Sequence, residues 1–312
     1  VSVPSEEDKR PAVASEPVSV AGSRLGLWYG LICYLIWGVI PLYFHLMNHV
    51  SPWIILCHRV VWSAGFLAVV VTVRREWRSI LPVVRSRRNL IFLFAGSLLI
   101  ATNWLVFIYA VSTQQVLQAS FGYFINPVLS IALGMIFLHE RLRRWQWVAV
   151  CIAFLALVNL SLRETSFPWI AISLAVSFGF YGLVRKKVSV NSLHGLLVET
   201  VLLVPAALLT IEFMPHARPN LPTFVLLSLS GVITAVPLLM FGVALRLLKL
   251  STVGFLQYVG PTLQFLCALV VFREPLDRTK LFSFVLSWVA IAIYVADSVL
   301  TRHPQAVADE PE

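Results

Sequence analysis

One carboxylate stands inside a long apolar run: Glu199, flanked by Val198 and Thr200. A charged side chain at a membrane helix centre costs about 2.5–3.5 kcal/mol on insertion scales, and somewhat less near an end, so such a group points to function. The chemistry would be ion or proton coupling. Approach of a cation would favour the carboxylate, and its withdrawal would favour the acid. The adjacent pair His58 and Arg59 is the basic counterpart in another apolar run. A static polar contact that locks Glu199 to a neighbouring helix is the alternative use.

Neutral polar residues recur in the central apolar stretches. Trp37, Asn103, Trp104, Tyr123, Asn126, Tyr258 and Gln264 are the candidate solute-binding residues, with Tyr34, Tyr109 and Gln257 in the same class. Rings and amides of this kind stack on and hydrogen-bond a planar or amphiphilic solute, although some such residues serve the interfacial belt or join helices. Trp145, Trp147 and Trp288 read as interfacial-belt or lipid-facing residues. Asn126-Pro127 and Gly260-Pro261 lie near the middle of two such stretches. Proline removes a backbone donor and disfavours helix just before it, so Pro127 and Pro261 are candidate helix breaks bordering a cavity.

Other chemistries find little support. His45 and His49 have a helical zinc spacing, but Leu46 stands where a hydrolytic motif needs Glu, and no metal is expected. There is no Walker-type phosphate loop, paired acid set or nucleophile-base set, so neither a cofactor nor an enzyme is expected. Cys33, Cys57, Cys151 and Cys267 sit in apolar runs without paired spacing and read as packing residues.

The elements that must hold these residues are membrane helices. Apolar residues make up 59% of the 312 and charged residues 12%, against about 25% charged in a soluble domain, and mean hydropathy is +0.84. Too few polar side chains remain to cover a soluble surface, so lipid is the expected solvent for much of it. The net charge of +9 is read as loop charge that sets topology rather than as a nucleic-acid footprint. Ten stretches are each long enough to cross a bilayer: 27–46, 52–73, 90–111, 116–138, 145–162, 167–184, 195–213, 221–245, 250–272 and 281–300. Helix is the required form, because backbone groups in lipid must be satisfied within the segment.

Loop charges test the count. With the N-terminus inside, only Arg163, Arg218, Arg273, Arg278 and Lys280 fall outside, and Arg59 alone falls within a span. The other Lys and Arg residues, among them Arg74 to Arg88, Arg141 to Arg144 and Arg185 to Lys187, fall on the cytoplasmic side. Both termini are therefore predicted to be cytoplasmic. Glu140 and Glu274 end their helices near basic residues and are expected to form modest ion pairs.

The chain also repeats itself. One ungapped shift places Phe121, Pro127, Leu129, Glu140 and Leu142 on Phe255, Pro261, Leu263, Glu274 and Leu276. A slightly longer shift places Trp28, Gly38 and Ser51 on Trp169, Gly179 and Ser192, and also His58 and Arg59 on Glu199 and Thr200. Half the chain is then five helices, and an odd number makes the second copy enter from the opposite face. Residues 1–24 lack apolar periodicity and read as a disordered cytoplasmic tail rather than a cleaved signal segment; 25–163 and 164–301 are the two repeats, and 302–312 is a second cytoplasmic tail.

Several motifs carry a family resemblance. The runs Tyr34 to Pro41, His58-Arg59 with Trp62-Ser63, Phe121 to Pro127, Gly134 to Arg141, Phe180 to Lys187 and Gln257 to Leu263 resemble the RarD-type members of the EamA family, in the drug/metabolite transporter superfamily. The resemblance runs from about Leu25 to Arg302. It implies an all-α membrane protein of ten helices in two inverted EamA repeats, in the bacterial inner membrane, exporting or exchanging a small drug-like or metabolite solute. Asn126 answers to Gly260, so the halves are not equivalent there. The resulting expectation is a secondary transporter working by alternating access with proton coupling at Glu199, its partners being a small solute and lipid and not nucleic acid. An intramembrane enzyme and a channel or scaffold are the alternatives.

Overall fold

A computed structural model of the chain describes residues 20–138, 142–163, 168–188, 190–214, 219–248 and 250–300. The two predicted tails fall largely outside these residues, as do Glu140, Arg141, Arg218, Lys249 and Arg302. Regular structure among the described residues is helical throughout: α1 (Val20–His45), α2 (Pro52–Val73), α3 (Trp77–Arg85), α4 (Arg87–Ser112), α5 (Val116–Leu138), α6 (Arg144–Arg163), α7 (Trp169–Lys187), α8 (Ser192–Phe213), α9 (Leu221–Leu247), α10 (Leu250–Leu256), α11 (Val259–Val270) and α12 (Arg278–Leu300). Seven stretches among the described residues are long and apolar enough to cross a membrane: α1, α2, α4, α5, α8, α9 and the run Thr252–Val270. The chain is a multi-pass membrane protein, and α6, α7 and α12 occupy the other predicted ranges.

Local chemistry sets the ends. Pro52 opens α2 where no backbone donor is needed. Ser86, Asn191 and Asn220 each accept from a backbone N–H in the first turn of α4, α8 and α9. Arg75, Gln114 and Arg273 take positive φ just past α2, α4 and α11, the left-handed turn by which helices commonly stop.

Two elements differ from the sequence reading. The basic stretch after α2, expected as a loop, contains the short amphipathic helix α3, which buries Ile80 and Val83 and packs on α4 and α8. Its apolar residues recur at helical rather than membrane-spanning length. The span predicted over 250–272 is interrupted at Gln257–Tyr258. Pro261 has no N–H to offer the Gln257 carbonyl one turn back, and the Gly260 N–H takes that carbonyl instead at 3.2 Å. By contrast, α5 runs as one helix through Pro127. Glycine before Pro261 leaves the backbone looser than the Asn126 Cβ does before Pro127.

Helix packing recurs with the two halves exchanged. α1 packs on α9, and α7 on α4; α1 packs on α11, and α7 on α5; α2 packs on α9, and α8 on α4. α2 with α8, α6 with α12, and α5 with α10 and α11 pair across the halves. Glycine permits the closest approaches. A Cβ on Gly231 would stand 2.4 Å from the Trp62 carbonyl carbon, and one on Gly122 would stand 2.6 Å from the Ala171 oxygen.

Glu274 is not held mainly by an ion pair. Its carboxylate accepts from the Val116 and Leu117 amides at 2.7 and 2.8 Å, at the start of α5. Those are orphan donors at the positive end of a helix, and they outweigh the attraction of Lys280. Burial pushes the Glu274 carboxyl above its ordinary value, while the two amides pull it down. Trp288, expected in the interfacial belt or at the lipid face, packs edge-on to Phe265 with centroids 5.4 Å apart and donates to Thr262 Oγ1 at 3.2 Å. An indole N–H away from the headgroups needs such an acceptor. Trp145 and Trp147 are exposed.

Candidate functional site

A cavity opens where α1, α4, α5, α7 and the α10–α11 junction meet. Tyr34, Trp37 and Ile40 come from α1, and Asn103, Trp104 and Phe107 from one face of α4. Tyr123 and Phe178 face them from α5 and α7, and Gln257, Gly260, Pro261 and Gln264 close the ring. The interrupted backbone therefore forms part of the wall, where irregular backbone in a membrane is tolerated. About 50 Å³ is open to the centres of water-sized molecules, against about 10–15 Å³ for one water. This conformation holds a few waters or one small group, and a larger solute needs the walls to part.

Aromatic edges shape the interior. Trp37 meets Tyr34 and Phe178 edge-on, both with centroids 5.4 Å apart, and Tyr123 meets Phe178 at 6.2 Å. Asn103 is a bracket: its Nδ2 donates to the Leu174 carbonyl at 3.1 Å and to Ser177 Oγ at 3.0 Å, and its Oδ1 accepts from Tyr123 at 3.0 Å. These bonds tie α4 to α5 and α7 and use up the amide's main directions. Gln264 donates to the Trp37 carbonyl at 3.1 Å, but its Oε1 has no hydrogen-bond partner among the described residues, and neither has the Tyr34 hydroxyl. Those two oxygens are unpartnered polar atoms of lining residues, and the Gln257 side chain joins them in the lining.

Of the sequence candidates, Trp37, Asn103, Trp104, Tyr123 and Gln264 share the cavity, as does Pro261. Asn126 does not line it; its side chain is fully buried, with Oδ1 beside Gly179. Tyr258 turns to Phe124, at 5.9 Å, and Tyr109 lies half out of the protein against Trp169. Phe107 and Phe178 are wall residues that sequence reasoning missed, since one Phe among 20 carries no polar signal. His45 ends α1 and packs edge-on to Phe272 at 4.8 Å, while His49 lies in the following turn 3.2 Å from Thr223 Oγ1. The two are not on one helix, and no metal-holding cluster occurs among the described residues.

The charged candidates form two separate centres. Glu199 accepts from the Tyr181 hydroxyl at 3.1 Å and pairs with Arg185 at 3.4 Å, and Arg185 also donates to the Ser192 carbonyl. Its partner is therefore Arg185 and not Arg59 or His58, because the short α7–α8 link brings the end of one helix beside the first turns of the next. Gly96 on α4 makes room: a Cβ there would stand 2.9 Å from the Glu199 carboxylate. Arg185, read in the sequence as a loop charge, is the residue that repeat matching missed; its i, i+4 spacing from Tyr181 on α7 is the signal that was there.

Arg59 belongs to the second centre. Its Nε donates to Thr234 Oγ1 at 2.5 Å, and its guanidinium lies over the rings of Trp104 and Phe44, 4.4 and 5.1 Å from their centroids. His58 meets Phe224 edge-on at 6.5 Å.

Comparison with known proteins places these features in a lineage. The profile of the EamA-like transporter family matches residues 24–162. Protein RarD of Escherichia coli (strain K12) is 42% identical over 286 residues, covering 90% of this chain and 97% of that protein. Protein RarD of Salmonella typhimurium is 44% identical with the same coverage. The uncharacterized transporter YojE of Bacillus subtilis is 38% identical over 89% of this chain and 96% of its own length. A solved crystal structure superposes with a TM-score of 0.64 at 17% identity, over 86% of this chain and 96% of that one. At that identity the likeness speaks for the fold alone.

Proposed function

This chain belongs to the EamA-like transporter family, in the drug/metabolite transporter superfamily, and from that premise we propose that it is a secondary carrier moving a small solute across the bacterial inner membrane. The observation that carries the reading is the aromatic cavity beside a broken helix, lined from both halves of the chain and offering the unpartnered Tyr34 hydroxyl and Gln264 oxygen. Packing that recurs with the halves exchanged supports two five-helix repeats, and the distribution of basic residues along the sequence supports ten spans with cytoplasmic termini. In that arrangement rocking of one repeat against the other alternately opens the cavity to each side.

Coupling is assigned to the Glu199 centre. Parting Glu199 from Arg185 and Tyr181 lets the carboxylate take up a proton, and reforming the pair releases it. The sequence holds no phosphate loop, so ATP would have to come from a partner or not be used, and a gradient is the proposed driving force.

Comparing metabolites released by cells lacking and overproducing the protein nominates the solute, and purified protein in liposomes then tests it. Flux of radiolabelled solute is expected to saturate and to accelerate when unlabelled solute is placed on the far side. Flux that rises without limit would mean a channel, and chemical conversion of the solute an enzyme.

A further inference from the structure

Among the described residues Arg59 is a cation without an anion. It lies in α2 about two turns from the Pro52 end and is 4% exposed. No carboxylate lies within ion-pair distance of it among the described residues, and its Nη1 has no hydrogen-bond partner there. What surrounds it is neutral: the Thr234 hydroxyl and the Trp104 and Phe44 rings. Structural cations in such settings are ordinarily paired, because pairing offsets lost hydration. The other buried arginine follows that rule, with Arg185 against Glu199. One of the neighbours of Arg59, Trp104, is a wall of the cavity. The charge stands directly behind the wall, with both N–H groups of Nη1 uncommitted among the described residues.

We propose that Arg59 supplies the countercharge for the solute, so that the cavity takes a monoanionic, partly apolar molecule, a carboxylate attached to an aromatic or aliphatic body. This deepens the carrier reading above and rests on it. The carboxylate would take the Nη1 donor once the Trp104 indole shifts, and the body would lie among Trp37, Phe107 and Phe178. A mostly apolar wall suits one carboxylate better than a strongly hydrated phosphate dianion. Trp104 has two uses in this arrangement: it holds the guanidinium when the cavity is empty, and it gates the cation when solute arrives.

Purified protein in detergent is titrated with phenylacetate, phenylacetamide, benzylammonium and inorganic phosphate, read by tryptophan fluorescence. Phenylacetate is expected to bind saturably and at least about tenfold more tightly than its neutral amide, the gain of one charge-assisted hydrogen bond. Benzylammonium and phosphate should bind no better than the amide. Arg59→Met, which keeps a flexible apolar body under Trp104, should bring phenylacetate down to the amide's affinity and leave the amide unchanged. Arg59→Lys, which keeps the charge, serves if the Met variant does not fold, and should retain part of the preference. Equal binding of acid and amide by the wild type, or an acid preference that survives Arg59→Met, overturns the anion assignment and leaves the cavity reading standing. Phosphate competing as well as phenylacetate overturns the carboxylate class. If no probe perturbs the wild-type signal, or binding is unaffected by Trp37→Ala, both this inference and the cavity reading fail.

Discussion

Liposomes containing Glu199→Gln protein should exchange solute at zero gradient yet lose all accumulation driven by an imposed pH difference. On the proposed coupling, a stoichiometry of one proton per solute would let the wild type reach up to about tenfold accumulation per pH unit, because one unit is worth 1.36 kcal/mol per proton. The native carboxylate accepts from Tyr181 and Arg185 on its two different oxygens, at 3.1 and 3.4 Å; Gln keeps one oxygen for Arg185 and can turn its amide N–H to the Tyr181 hydroxyl, but it has no proton to load or release. Glu199→Ala separates coupling from support. It strands the Arg185 guanidinium, whose side chain is 6% exposed, and should destabilise the protein by about 3–5 kcal/mol. Replacing both partners with apolar residues should recover most of that loss and still leave transport blind to the gradient. A Glu199→Gln carrier that the gradient drives at the wild-type level would make the pair a lock between α7 and α8 and nothing more.

Gly231→Val should abolish the folded protein, while Gly65→Ala should be neutral or slightly stabilising. The two glycines lie on helices packed against each other, α9 and α2, but their surroundings are opposite. A Cβ at 231 would overlap the backbone of Trp62 and Ser63 at 2.4 and 2.5 Å, whereas nothing lies within 4 Å of a Cβ at 65. Backbone cannot swing aside as a flexible side chain can, so α2 and α9 would have to separate. That would break the bond from the Ser63 hydroxyl to the Gly231 carbonyl and shift Thr234 away from Arg59. Overpacking alone costs about 1–3 kcal/mol, and occasionally more. Thermal unfolding in detergent with size-exclusion profiles reads both variants. A monodisperse Gly231→Val protein with wild-type stability would contradict the α2–α9 packing.

The helical, membrane-embedded character was legible because hydropathy and run length are one-dimensional signals. The cavity was half legible for a related reason: polar aromatics and amides stand out against apolar sequence, so Trp37, Asn103, Trp104, Tyr123 and Gln264 could be picked by type. Which way each one faces could not. Asn126 and Tyr258 carry the same signal and turn elsewhere, because direction depends on neighbouring helices whose angles no local pattern encodes. Pairing of charges failed for the same reason. Repeat matching set Glu199 opposite His58, whereas a short connection makes Arg185 its partner, and contact follows the path of the chain rather than correspondence between halves. The interruption at Gln257–Tyr258 was readable from Gly260-Pro261, while continuity through Pro127 needed the packing of α5 on α7 to be seen. Glu274 shows how a charge can be spent on backbone amides, an interaction invisible to any count of opposite charges.

The central claim, that the cavity opens alternately to the two sides of the membrane, is tested most directly by Gln264→Cys in a protein whose Cys33, Cys57, Cys151 and Cys267 have been changed to serine. Right-side-out and inside-out vesicles are treated with a membrane-impermeant maleimide while an imposed proton gradient is monitored. Labelling from both sides, with the gradient held at the level of vesicles lacking the protein, is the predicted result. Labelling from only one side, from neither side, or from both sides with collapse of the gradient would contradict alternating access.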